Sequence, residues 1–91
     1  MAGTMTHEYS LLADLLRKIG EISLTHGRRV AGVTLRVGAL AGISPDHLRE
    51  HFERESQGTS AQGARLVILS DDDPGDQHAL HLVLESVDLE V

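Results

Sequence analysis

The sequence contains no cysteine. That single absence excludes disulfides, thiolate zinc sites, iron–sulfur clusters and thiol nucleophiles, and it fits a reducing compartment. Cationic clusters are also missing. No basic run exceeds a pair such as Arg28-Arg29, and the formal net charge is −6. Phosphate binding needs a cationic patch, so no nucleic-acid partner is expected. No apolar run approaches the roughly 20 residues of a membrane span. Nor do the first residues pair a basic region with an apolar stretch, as a secretory signal does. These features lead us to expect a soluble, cytoplasmic protein with no membrane partner. No nucleophile elbow, P-loop or dinucleotide fingerprint is present, and a chain of 91 residues has little room for a closed pocket. An enzyme is therefore not expected.

The residues that are there organise into one small α+β domain, residues 1–91. From Glu8 to about Thr25, Leu11, Leu12, Leu15, Leu16, Ile19 and Ile22 recur at helical spacing, with Arg17, Lys18 and Glu21 opposite. Gly27 suits the left-handed position that ends such a helix. Val33, Leu35 and Val37 then alternate with Thr34 and Arg36, which predicts a strand over roughly 29–37. Ser44, Pro45 and Asp46 announce a second helix as N-cap, first helical residue and dipole partner. Ile43 and Leu48 can staple its entry. This helix should run to about Gln57, stop at Gly58, and present a thin apolar face: Leu48, Phe52 and the stems of His51 and Glu55. Arg65–Ser70 and Ala79–Val91 read as two further strands. In the last, the apolar phase changes between Leu84 and Val87, predicting a bulge near Glu85-Ser86. The pattern also allows a short strand before the first helix. Two helices on one face of a three-stranded mixed sheet would bury both apolar stripes.

Each candidate metal ligand also has an ordinary role. His47 and His51 share a helix face and could share a metal. Glu50, Glu53, Glu55 and Arg49 surround them, so a solvated face is the favoured reading. His78 and His81, three apart at the start of a regular strand, would point to opposite faces, and a joint site would need irregular backbone. Asp71, Asp72, Asp73 and Asp76 could attract a hard cation, but the run lacks the glycine and bidentate-glutamate placement of a calcium loop. SDDDPGDQH reads as an exposed turn. His7 and Glu8 suit the first turn of a helix, where Glu8 favours the dipole, and spacing alone does not raise them above that role.

Three segments together change this. HEYSL at 7–11, VTLRVGALAGISPDHLREHFE at 33–53 and GTSAQGARLVI at 58–68 resemble the hydrogenase nickel-incorporation proteins, the HypA/HybF family, in order and over most of the chain. ESVDLEV at the end looks like that family's closing strand. The resemblance implies a cytoplasmic nickel metallochaperone that works with a delivery GTPase to load the nickel–iron hydrogenase large subunit, or urease in some organisms. It also implies a nickel site at His7 and Glu8, built from imidazole, terminal amine and backbone amide nitrogens. Such a nitrogen set suits square-planar Ni(II).

The sequence departs from the family pattern in three places. His7 is not the second residue. A chain starting at Met5 and losing that methionine would begin Thr6-His7-Glu8, with an amine one residue from the imidazole; residues 1–6 are otherwise read as a flexible extension. The family's zinc domain, with two CxxC pairs between the last two strands, is replaced by the loop at 71–78, so no structural zinc is expected. Acidic positions of the family's GELSGVEPE pattern read Ala39 and Ser44 here. A second reading therefore stands beside the first: an adaptor that docks on the hydrogenase large subunit or a GTPase without carrying nickel. The small core and thinly covered sheet are consistent with a weak homodimer.

Overall fold

The computed structural model describes the backbone of residues 2–91 and the side chains of residues 10–91. The element order is α1 (Ala2–His26), β1 (Val30–Val37), α2 (Pro45–Glu55), β2 (Arg65–Ser70) and β3 (Leu82–Leu89). The sheet order is β2-β1-β3, with β2 parallel and β3 antiparallel to β1. This is the expected pair of helices on a three-stranded mixed sheet. The allowed strand before α1 does not occur among the described residues, because α1 begins at Ala2.

Helix α1 buries Leu12, Leu15 and Ile19 on one stripe, with Leu11, Leu16 and Ile22 half-buried beside it. It ends as the glycine predicts. Gly27 has φ +64°, its N–H donates to the Leu24 carbonyl, and the Arg28 N–H reaches back to the Ser23 carbonyl. That pair of bonds is a Schellman closure. Helix α2 begins at Pro45, with the Ser44 hydroxyl accepting from the His47 N–H at 3.5 Å. It ends at Glu55, two residues before the predicted Gln57, as the chain turns through Ser56 into Gly58. Its buried residues are Leu48, His51 and Phe52, so the thin apolar face is real. The expectation of a solvated histidine face holds for His47 but not for His51. One turn from His47 and adjacent to Phe52, His51 is buried with Leu48 and Phe52.

Val33, Leu35 and Val37 of β1 face the helices and share the core with Leu66 and Leu82. The other face carries Thr34, Arg36, Val67 and Leu69, with the last two exposed. At one end of that face Gly32 lies between the Arg65–Asp88 ion pair. The free edge of β2 is partly covered by Arg49 of α2, which donates to the Leu66 carbonyl at 3.0 Å, a common way to blunt an edge strand. Thr34 pairs with Ser86 but Leu35 with Leu84, leaving Glu85 as the extra residue. This is the bulge that the phase change predicts.

The predicted start of the last strand is wrong by three residues: β3 begins at Leu82, not Ala79. The cause is topological. β2 ends beside Val37 and β3 starts beside Val37, on opposite flanks of β1. The connection, residues 71–81, must therefore cross the end of β1. It is fastened there by backbone bonds: Asp71 N–H to the Val37 carbonyl, Gly38 N–H to the His81 carbonyl and Leu40 N–H to the Ala79 carbonyl, at 2.9, 2.9 and 2.7 Å. Gly38 makes the crossing possible. A Cβ there would stand 2.3 Å from the carbonyl oxygens of both His78 and Ala79.

Candidate functional site

His7 and Glu8 fall within the span of α1, and their side chains lie outside the described residues. Thr6 does so as well. The described residues instead fix the remaining candidates.

His47 and His51 do come together. Their ring centroids are 4.6 Å apart and tilted by 41°, with His47 exposed and His51 buried. Ser44, where the family pattern is acidic, is occupied as the cap of the same helix. Ala39 sits half-buried just past β1. The acidic loop is largely self-satisfied: an Asp73 oxygen accepts the Gly75 N–H, an Asp76 oxygen accepts the His78 N–H, and Asp71 lies 3.5 Å from Arg36. Among the described residues, no group of three or more histidine, aspartate or glutamate side chains is arranged to hold a metal ion.

His78 and His81 overturn the expectation drawn from strand periodicity. They lie in a turn, where the His81 N–H donates to the His78 carbonyl at 2.9 Å. Turn geometry puts both rings on one side, with their Nδ1 atoms 3.3 Å apart. The irregular backbone that a joint site requires is supplied by the crossing over β1. The signals in the sequence are Gly38 just past β1 and the turn residues Pro74-Gly75-Asp76; what hid their connection is that these segments are far apart in the chain.

The family described as HypA, hydrogenase/urease nickel incorporation, metallochaperone, matches residues 5–73. The chain belongs to this family. The hydrogenase maturation factor HypA of Acidithiobacillus ferrooxidans is 43% identical over 65 residues, covering 70% of this chain and 58% of that protein. That of Geobacter metallireducens is 50% identical over 62 residues, covering 68% of this chain and 54% of that protein. The chain thus spans a little over half the length of these HypA relatives. The HypA match takes in α1 from Met5, β1, α2 and β2, and stops at Asp73 in the crossing loop. ESVDLEV lies beyond it and lies mostly within β3. No cysteine pair stands between β2 and β3, and no helix among the described residues is long and apolar enough to cross a membrane.

Proposed function

We propose that this HypA-family protein carries nickel for insertion into the large subunit of a nickel–iron hydrogenase, handing it on in concert with a delivery GTPase. The observation that carries this reading is the family match from Met5, which includes His7 and Glu8 and extends through β2. In this reading the His7 imidazole is the anchoring ligand. The residue 7–8 backbone supplies amide nitrogen, and Glu8 adds a carboxylate nearby. When Thr6 is the first residue, its free amine completes a set of nitrogen donors joined by small chelate rings, the arrangement that square-planar Ni(II) favours. Nickel is the cargo, held transiently, and no structural zinc is needed. Because imidazole and amine bind only when deprotonated, nickel affinity falls as the pH is lowered.

His7→Ala tests the assignment. Nickel titration by calorimetry should show the tight site abolished, while far-ultraviolet circular dichroism and capture of the hydrogenase large subunit stay unchanged. Nickel binding by His7→Ala at the affinity of the parent protein would remove His7 from the site. Capture of the large subunit by a parent protein that binds no nickel would identify a docking adaptor instead.

A further inference from the structure

We propose that His78 and His81 form a second, open metal site, a two-imidazole half-site for a borderline divalent ion such as Zn(II), independent of the nickel reading of His7. Three observations carry it. The first is the bite distance. The two Nδ1 atoms are 3.3 Å apart, and two nitrogens bound at about 2.0–2.1 Å to a tetrahedral zinc stand about 3.3–3.4 Å apart. The ring centroids are 5.5 Å apart and the planes are inclined at 52°, so the nitrogens face each other somewhat more directly than two metal ligands do. Both side chains are exposed, and a modest rotation of each ring turns both lone pairs onto a common point.

The second is rigidity. The turn that carries the rings is fixed at both ends by the Gly38–His81 and Leu40–Ala79 backbone bonds, and Ala79 between them is buried. The ligands therefore start near their bound spacing, which lowers the ordering cost of binding. The third is charge. The loop leading into the pair carries Asp71, Asp72, Asp73 and Asp76, and no lysine or arginine follows Arg65 in the sequence. Arg36 offsets Asp71 and Glu85 at 3.5 and 3.3 Å, which leaves Asp72, Asp73 and Asp76 to draw a cation toward the rings.

In the metal-free state one ring donates its Nδ1–H to the other. Metal binding needs both Nδ1 lone pairs, so the donor ring moves its proton to Nε2 and both imidazoles stay neutral. Two protein ligands leave half of a tetrahedral sphere open. Water fills it in the isolated protein, and a donor from a docked protein can replace that water. The site is thus suited to exchange rather than to structural support, for which zinc is normally held by four protein ligands.

The test is a Zn(II) titration of the full chain carrying His7→Ala, followed by long-range proton–nitrogen spectra of the imidazoles. Saturating zinc should move the Nδ1 resonances of His78 and His81 together. His81→Gln, added to the same background, should weaken zinc binding at least tenfold and leave His78 unmoved, with circular dichroism unchanged. Zinc shifts confined to His47 and His51, shifts at one of the two loop histidines alone, or equal affinity with and without His81→Gln would each overturn the proposal.

Discussion

Replacing Phe52 by alanine is expected to cost about 3–5 kcal/mol of folding stability. Phe52 is 1% exposed and is the one phenylalanine in the sequence. Helix α2 docks through a face of two apolar residues, Leu48 and Phe52, four positions apart. No third large apolar side chain on that helix can shift to fill the space. Phe52 belongs to the buried core cluster, so a cavity term adds to the lost transfer energy. A domain of this size has about 5–15 kcal/mol in total, and the melting temperature should fall by at least about 12 °C. Urea denaturation measures it: the midpoint should drop with the slope unchanged. A loss under about 1 kcal/mol would mean that α2 does not dock through Phe52.

The second large effect is expected at Gly38. Gly38→Ala should destabilise the fold by about 2–3 kcal/mol, through sterics rather than backbone strain. The new methyl group would meet two carbonyl oxygens of the crossing loop at 2.3 Å, and backbone cannot rotate away as a side chain can. Separating the strands of the crossing would also weaken the bonds from Gly38 and Leu40 to His81 and Ala79. Gly20→Ala is the contrasting substitution. Gly20 is in α1 and a Cβ there meets nothing within 4 Å, so it should stabilise the protein by about 0.5–1 kcal/mol. Amide hydrogen exchange locates the damage: in Gly38→Ala, protection should be lost first at Gly38 and Leu40. If Gly38→Ala matched the parent in both stability and exchange, the close crossing described here would be incorrect.

These two positions also mark where reading the sequence succeeds and where it stops. Helix α2 is legible because its signals are local: Ser44, Pro45 and Asp46 at the start, Leu48 and Phe52 one turn apart. The bulge at Glu85 is legible because a period of two cannot change phase without one extra residue. The end of α1 is legible in Gly27. The true start of β3 is not, because residues 79–81 have strand-like composition but bond to the end of β1, about 40 positions earlier in the chain. The same long-range fastening brings His78 and His81 together, where period-two reasoning sets them apart. The burial of His51 is tertiary and is not written in the charged residues beside it in sequence. For the proposed nickel site, HEYSL is one of the segments that carry the family resemblance, and the family match from Met5 includes it. The ligand geometry of Thr6, His7 and Glu8 stands as a proposal from nitrogen-donor chemistry.

In the proposed site, His7 holds nickel together with an adjacent terminal amine. Nickel titration of two versions of the protein tests it most directly, one beginning at Met1 and the other at Thr6 with a free amine. Tight, one-to-one binding is expected of the Thr6 version and markedly weaker binding of the longer one. Equal, tight binding by both would contradict the terminal-amine site and direct attention to His47 and His51. No binding by either would contradict nickel carriage itself.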